Sequence, residues 1–267
     1  MSSSVYPVPD ESVAYVYDGT LEGLLCAIFE TYVRKEVPLD VVTSEHLQLR
    51  LGQEVYEVTT DATLAKRVRA GLVKTCGAEV YDAVRVASVS DEPQAGSIIC
   101  TFVRYSMQWQ GNTLNQLANP EVQPFIALHT SVVNERHYMV QFLRFQELEG
   151  GVWFAKGNPK ANVVPLIMDW FVARFNTQPF IIYDEVHEVA GVYEGRGWFL
   201  VKGNELNLPG VSANEVEMAG AWKRFYEAVC VEARYNPELR RQFMPKRLWN
   251  NIVEVAGSTP DTHPARR

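Results

Sequence analysis

Cysteine is scarce in this sequence, and its spacing argues against a site built from thiolate ligands. The four cysteines, Cys26, Cys76, Cys100 and Cys230, are widely separated, and no two of them form a C-x-x-C pair. Zinc ribbons and iron–sulfur clusters need closely spaced ligand pairs of that kind. We therefore expect four reduced thiols in apolar surroundings, no metal site and no cofactor.

Excess positive charge and long hydrophobic runs are absent as well. The 267 residues include 25 Lys and Arg against 32 Asp and Glu, which gives a net charge of -7. This balance excludes a protein that coats nucleic acid non-specifically, although it allows a local basic patch. No apolar run is long enough to cross a bilayer, and the first residues lack the basic and apolar regions of a signal peptide. These features predict a cytoplasmic protein.

The common catalytic motifs are missing too. There is no Walker loop, no Rossmann glycine fingerprint and no G-x-S-x-G elbow. The segment VYDGT resembles the D-x-D-G-T loop of haloacid-dehalogenase-type phosphatases, but Val16 occupies the position of the nucleophilic aspartate. Valine cannot form the covalent intermediate, which excludes that family. Asp18 or Thr20 is then predicted to cap the following helix, although the same helix start could hold an anion.

The order of the predicted elements indicates an α+β protein with a mixed or antiparallel sheet, a large helical block and a helical C-terminus. Residues 13–72 are predicted as strand, helix, polar connection, the short strand EVYEVTT and a second helix, and the chain is then mostly helical to about 148. The segments PFIIYDEV, EVAGVYEG and GWFLVKG predict an antiparallel meander. We expect one domain over 12–256 with a sub-boundary near 150, a disordered segment 1–11 and a loose tail 257–267.

An acidic residue lies on the apolar face of the long helix predicted over QPFIALHTSVVNERHYMVQFLRFQEL. At 100° per residue, Glu135 points into the apolar arc, and His137 and Arg144 lie together on its flank. A buried carboxylate needs a partner or a raised pKa. Glu135 is therefore a candidate for proton transfer, with His137 and Arg144 holding a phosphate or carboxylate. The alternative is a structural ion pair of Glu135 with Arg136 or Arg144.

A second candidate site lies near the C-terminus, where basic and aromatic residues are interleaved. Residues 222–249 hold seven Lys or Arg against three Glu. Cations that meet phosphates and rings that stack on unpaired bases would suit a nucleic-acid groove. The alternative is an amphipathic helical end whose rings pack inward. The nucleic-acid-binding candidates are Arg240, Arg241, Lys246, Arg247 and Trp249. Asp184, which follows the strand FIIY, is a further candidate as a strand-end carboxylate.

Several segments, taken together and in this order, resemble one known family. They are Tyr17-Asp18-Gly19-Thr20 with its helix, TTDATLAKRVRAGL, NERHYMVQFLRFQELEGGVWFAKGNP, PLIMDWFVARF, FIIYDE and NPELRRQFMPKRLW. The resemblance covers about residues 12–256. The family is bacterial, of unknown function, and labelled as DNA metabolism or DNA repair protein. Members are typically encoded beside a radical S-adenosylmethionine protein linked to DNA modification or repair, so the resemblance implies that partner. Some are fused to a uracil-DNA-glycosylase-like domain, of which this sequence shows no motif.

The resemblance also implies which polar residues matter. Carried over by position, the family's recurring polar residues fall on Asp18, Thr20, Glu135, His137, Arg144, Asp184, Arg247 and Trp249. Two positions depart from the pattern. Tyr138 stands where the family usually has Arg, and Lys160 stands where it usually has an acidic residue, followed by Ala161 instead of an aromatic residue or His. If that loop contributes to a reaction, these departures mark a diverged or catalytically altered member.

Three functions are consistent with these patterns. The leading hypothesis is a DNA-repair or DNA-modification component that works with a radical S-adenosylmethionine partner and contacts DNA through the basic C-terminal segment. The second is an enzyme acting on a nucleotide or damaged base, with Glu135 as general acid/base and His137 and Arg144 orienting the substrate. The third is a protein-binding adaptor without catalysis.

Overall fold

The computed structural model describes residues 10–231 and 236–254, and the chain forms two compact units. Unit 1 is Met1–Val133 and unit 2 is Asn134–Arg267. The division falls inside a helix of 20 residues, whereas the sequence suggested a sub-boundary near 150. Residues 1–9 of the segment predicted to be disordered and the whole of the tail predicted to be loose, 257–267, lie outside the described residues, whereas Asp10 and Glu11 belong to a strand instead. No helix within the described ranges is long and apolar enough to span a bilayer.

Unit 1 combines a small parallel sheet with a block of helices. Its strands are β1 (Asp10–Tyr17), β2 (Pro38–Thr43) and β3 (Glu54–Glu57). Its helices are α1 (Leu21–Val33), α2 (Ala62–Cys76), α3 (Ala78–Ala87), α4 (Ala95–Trp109) and the first part of α5 (Gln123–Phe142). The strand order is β2-β1-β3 and both neighbouring pairs are parallel, so β1 is the central strand.

Strand β2 corrects the prediction of a polar connection after the first helix. Val41 is fully buried, and its backbone N–H donates to Ser97 Oγ of α4 at 2.9 Å. A Cβ atom at Gly96 would overlap the Val41 carbonyl oxygen, so α4 can lie this close to β2 only with glycine there. Six residues with an acidic one among them carry too little periodicity to show a strand. Because β1, α1 and β2 form a βαβ unit, this sheet is parallel rather than mixed or antiparallel.

The core of unit 1 lies between its sheet and the helices. Phe102 of α4 stacks on Phe125 of α5, with ring centroids 3.7 Å apart, and both side chains are fully buried. Three cysteines are buried in this core, which confirms the prediction of thiols in apolar surroundings for Cys26, Cys76 and Cys100. Cys230, which belongs to unit 2, is only half-buried.

Unit 2 contains a five-stranded mixed sheet. Its strands are β4 (Phe145–Glu147), β5 (Trp153–Gly157), β6 (Phe180–Asp184), β7 (Val189–Tyr193) and β8 (Trp198–Lys202), paired in that order. β5 and β6 run parallel and the other neighbouring pairs run antiparallel. The antiparallel meander predicted for the last three strands is confirmed. The helices are the end of α5, α6 (Val164–Arg174), α7 (Ala213–Val229) and α8 (Pro237–Phe243), followed by the 3₁₀ helix Lys246–Asn251.

Two predicted helices of unit 2 are shorter than the sequence suggested. The long helix ends at Phe142, and residues 145–147 form β4 instead of another helical turn. The last helix ends at Phe243, because Met244 and Pro245 take extended backbone angles before the 3₁₀ helix begins. Residues 145–147 hold a single aromatic and two polar side chains, so their pairing with β5 decides their conformation.

The two faces of the unit 2 sheet have different neighbours. One face carries Phe180 and Ile182, and α6 packs against it with Met168 over Gly191, where a Cβ atom would overlap the Met168 sulfur. Strand alternation places Gln146, Phe154 and Lys156 on the opposite face. The 3₁₀ helix Lys246–Asn251 contacts β5. That helix thereby brings C-terminal side chains to the second face of the sheet.

Candidate functional site

Glu135 is buried and forms an ion pair with a residue from the far end of the chain. The residue is 5% exposed, and its Oε2 atom accepts a hydrogen bond from the guanidinium of Arg247 at 2.6 Å. The helical periodicity correctly placed the carboxylate on the apolar face. The partners expected from neighbouring positions are wrong. Arg136 donates to the Leu166 carbonyl oxygen, and Arg144 pairs with Glu215.

The same ion pair holds the loop between β5 and α6. The Lys160 backbone N–H donates to Glu135 Oε1 at 3.1 Å, so both carboxylate oxygens are occupied. The Asn158 side-chain amide donates to the Arg247 carbonyl oxygen, and the Arg247 guanidinium donates to the Asn158 carbonyl oxygen, at 3.0 and 2.9 Å. We call Glu135, Asn158, Lys160 and Arg247 the Glu135 cluster. It fastens the 3₁₀ helix to the loop at the carboxyl end of β5.

Some polar atoms in and beside the Glu135 cluster are buried without a hydrogen-bond partner among the described residues. They are Asn158 Oδ1, Asn162 Oδ1 and Arg247 Nε. Buried polar atoms in folded proteins usually bond to other protein groups or to ordered water. Glu135 is not an exposed base, because its carboxylate is buried and each of its two oxygens accepts a hydrogen bond.

His137 and Arg144 do not join Glu135. The side chain of His137 is exposed and makes no hydrogen bond or ion pair with any described residue. The Arg144 guanidinium donates to Glu215 Oε1 at 2.8 Å, and the Glu147 backbone N–H donates to the other oxygen of the buried Glu215 carboxylate. The geometry therefore holds the three candidate catalytic residues in three different environments.

The basic C-terminal candidates are divided between core and surface. Trp249 is 5% exposed, packs with Ile252 and Phe142, and donates its indole N–H to the Met244 carbonyl oxygen. The Arg240 guanidinium lies 4.6 Å from the centre of the Trp249 ring. A ring buried in this way cannot stack on a base. With Arg247 in the Glu135 cluster, the exposed cations of this group are Arg241 and Lys246.

The remaining candidates form turns and caps. The buried Asp184 carboxylate accepts from the backbone N–H groups of Val186 and His187 and lies 2.5 Å from His187 Nδ1. This arrangement closes the turn from β6 to β7. Because Gly157 pairs with Asp184 in the β5–β6 ladder, the Asp184 turn and the Glu135 cluster both follow the carboxyl ends of these two parallel strands.

In unit 1, Thr20 is the cap of α1, and Asp18 holds Thr20 in place. Thr20 Oγ1 accepts from the Gly23 N–H at 2.9 Å, and the Asp18 carboxylate accepts from the Thr20 N–H, the Thr20 hydroxyl and the Thr60 hydroxyl. Desolvation acts to raise the pKa of Asp18, but the hydrogen bonds from Thr20 and Thr60 outweigh it and hold the pKa below its ordinary value. The Asp18 carboxylate is thus occupied by hydrogen bonds within the chain, whereas in a phosphohydrolase loop it would face a substrate.

A polar cleft on the second face of the unit 2 sheet was missed by sequence reasoning. It has a volume of about 140 Å³ and is lined by Arg144, Gln146, Phe154, Lys156, Asn250, Asn251 and Val253. The side-chain amides of Gln146, Asn250 and Asn251 make no hydrogen bond within the described part of the chain. The alternation of side chains along a strand could have predicted that Gln146 and Lys156 lie on the same face of the sheet. No local sequence pattern indicates that Asn250 and Asn251, about a hundred residues later, join them.

The charges of the polar cleft are partly compensated. Lys156 Nζ lies 2.8 Å from Glu185 Oε1, and Arg144 is paired with Glu215, yet each cation keeps N–H donors that make no further bond to described residues. Guanidinium, ammonium and carboxamide groups together can bind a phosphate and the edge of a base or another polar ring. Within residues 10–231 and 236–254, no three His, Cys, Asp or Glu side chains converge as a metal site.

A family model for a domain of unknown function, DUF4130, matches residues 93–254. The chain belongs to this family. The DUF4130 match contains the Glu135 cluster, the Asp184 turn and the polar cleft, whereas Asp18 and Thr20 lie outside it. The description of DUF4130 states no activity, so DNA repair stays a prediction for this chain. No curated protein matches the sequence.

Proposed function

We propose that this DUF4130 protein is a component of DNA repair or DNA modification that binds single-stranded nucleic acid in the polar cleft and acts with a radical S-adenosylmethionine protein. The repair setting and the partner rest on the family resemblance of the sequence. The nucleic-acid contact rests on one observation, the convergence of two cations and three unpaired carboxamides in the cleft. Because Trp249 is buried, the cleft replaces the basic C-terminal segment as the proposed contact surface.

The charge of the cleft suits contact with one or two phosphates of a nucleic acid and not with a long stretch of its sugar–phosphate backbone. Arg144 and Lys156 supply positive charge, but Glu215 and Glu185 neutralise part of it, and the chain as a whole is acidic. Binding should therefore show a shallow dependence on salt. Each phosphate contact to a single strand contributes a slope of about -0.7 in log K against log salt concentration. Two contacts predict a total slope of about -1.4.

The carboxamides favour an unpaired base. Asn and Gln side chains present a donor and an acceptor side by side, which matches the hydrogen-bonding edges of bases. A base in a duplex has its pairing edge occupied, and a cleft of about 140 Å³ has no room for a double helix. Single strands or flipped nucleotides are the substrates that such a cleft can admit.

Fluorescence anisotropy with fluorescein-labelled oligo(dT), oligo(dC), oligo(dA) and duplex DNA tests this proposal at several salt concentrations. We expect the single strands to bind more tightly than the duplex. Lys156→Ala should weaken binding and reduce the magnitude of the salt slope by about 0.7, the contribution of one phosphate contact. The double variant Asn250→Ala/Asn251→Ala should reduce the differences in affinity among the four probes. Lys246→Ala is the matched control, because Lys246 is an exposed cation outside the cleft lining.

The partner is tested separately, by co-purification with a co-expressed radical S-adenosylmethionine protein encoded beside a family member. Salt-dependent binding that is absent both for the isolated protein and for the co-expressed pair would contradict the proposal. Equal loss of binding in Lys156→Ala and Lys246→Ala would place the contact outside the cleft.

A further inference from the structure

An apolar cavity opens on unit 1, away from every candidate residue discussed above. It has a volume of about 250 Å³ and lies between α1, α2 and α4. Its lining is Ile28, Phe29, Tyr32, Arg67, Val68, Gly71, Leu72, Val103 and Met107. Methionine adapts its shape to irregular contacts, and Tyr32 at the mouth is 45% exposed. The cavity is therefore an open, deformable apolar pocket and not a sealed packing defect.

The three helices around this cavity carry an excess of positive charge although the protein as a whole is acidic, and Arg67 belongs to the lining itself. Helix α2 carries Lys66, Arg67, Arg69 and Lys74 and no acidic residue, α4 adds Arg104, and α1 carries Glu22 and Glu30. The three helices thus hold five cations against two acids in a chain of net charge -7. Guanidinium groups also cover two rings of the lining, with Arg67 5.8 Å from the Phe29 centroid and Arg104 4.5 Å from that of Tyr32.

The apolar lining of the cavity selects the kind of occupant. Its residues are apolar or aromatic apart from Arg67, and a volume of about 250 Å³ accommodates one large side chain, so an apolar side chain suits it better than a charged nucleotide. Aromatic, Met and Arg residues are also the types enriched at the centres of protein interfaces. Gly71 leaves the mouth open, since a Cβ atom there would meet nothing within 4 Å.

The cations on α2 are spaced for an elongated acidic partner. Arg67, Gly71 and Lys74 follow one another at i, i+4 and i+7 along one side of the helix, and both cations are exposed. At 1.5 Å per residue, Arg67 and Lys74 are about 10 Å apart along the axis, and Gly71 of the cavity lining lies between them. A single small anion cannot reach both. Two acidic residues separated by two helical turns can.

We propose that this cavity docks an acidic helical segment of a partner protein, which inserts one large apolar side chain between Arg67 and Lys74. Helices bind grooves in this way through anchors at i, i+3, i+4 and i+7. The apolar anchor supplies most of the affinity, because it is fully desolvated, and the flanking charge pairs set orientation and rate of association. This inference is independent of nucleic-acid binding by the polar cleft.

A designed peptide tests the inference without knowledge of the partner. The probe is a fluorescein-labelled helical peptide of about fifteen residues with Glu, Trp and Glu at i, i+4 and i+7. Companion peptides replace Trp by Ala, or both Glu by Lys. The protein variants are Gly71→Leu, which fills the mouth, Gly71→Ala, which leaves it open, and the double variant Arg67→Glu/Lys74→Glu. Anisotropy titrations at low and moderate salt give the affinities.

We expect the parent peptide to bind at least about tenfold more tightly than either companion peptide. Gly71→Leu and the double variant should each lose about tenfold in affinity, while Gly71→Ala keeps it and melts at a higher temperature. Equal binding of the Trp and Ala peptides, or equal binding by Gly71→Leu and Gly71→Ala, overturns the proposal. Tighter binding of oligo(dT) than of the parent peptide, lost in the double variant, overturns it in favour of a nucleic-acid site.

Discussion

Removing the positive charge of Arg247 should destabilise unit 2 by about 3 kcal/mol, because it leaves the Glu135 carboxylate buried without its counter-ion. Breaking a buried pair typically costs about 3–5 kcal/mol. The lower end applies here, since Glu135 Oε1 keeps its hydrogen bond from the Lys160 N–H. The variant Arg247→Met keeps most of the side-chain volume. Glu135→Gln keeps an acceptor for Lys160 and should cost about 1.5–3 kcal/mol.

The double variant shows whether the two side chains act as a pair. In Glu135→Gln/Arg247→Met no charge is left buried, so its cost should fall about 2 kcal/mol short of the sum of the single variants. Hydrogen bonds that Arg247 makes elsewhere, such as the one to the Asn158 carbonyl oxygen, are lost in the single and double variants alike and cancel in the cycle.

Urea unfolding followed by tryptophan fluorescence measures this cycle in the relevant unit. Of the six tryptophans, only Trp109 belongs to unit 1, so the signal reports mainly on unit 2. Arg241→Met is the control, because Arg241 is exposed and its loss should change stability by less than about 0.5 kcal/mol. A coupling energy below about 0.5 kcal/mol would refute the pairing, because independent sites add within that margin.

Three further predictions concern the cap of α1 and the thiols. Gly23→Ala should cost about 1–3 kcal/mol in urea unfolding followed by circular dichroism, because a Cβ atom there would overlap the Asp18 carboxylate; the control Gly71→Ala should gain about 0.5–1 kcal/mol. Asp18→Asn should lower the melting temperature at neutral pH. Because the folded-state pKa of Asp18 is depressed, its contribution exists above the unfolded-state pKa of about 4 and disappears as pH falls through the folded-state value, so wild type and variant should converge in acid. Ellman's reagent should label only Cys230 rapidly in the native protein, since burial raises the pKa of Cys100 to about 12 and raises the pKa values of the other two core thiols.

Each of these three has a clear opposite outcome. A stable Gly23→Ala variant would mean that the Asp18 carboxylate can move away from the added Cβ atom without cost. A constant difference between wild type and Asp18→Asn from neutral to acid pH would contradict a charge effect. Rapid labelling of two or more thiols in the native state would show that the unit 1 core opens readily.

The sequence by itself determined the elements whose signals are local. Alternating apolar residues with short polar turns are sufficient for the meander of β6, β7 and β8. Thr20 caps α1 through the backbone N–H of Gly23, and its position directly before the helix was sufficient to predict it. The burial of Glu135 belongs to the same class, because a position on the helical wheel depends only on the 3.6-residue repeat.

Tertiary structure decided which distant residues meet. Glu135 lies 112 residues from Arg247, and the choice of that arginine over Arg136 or Arg144 depends on where the 3₁₀ helix packs against β5. The polar cleft likewise joins β4 and β5 to Asn250 and Asn251. Periodicity carries no information about such pairings, because it constrains the direction of a side chain relative to its own element. Packing between elements then sets which partner neutralises a buried charge and which polar groups remain open to a ligand.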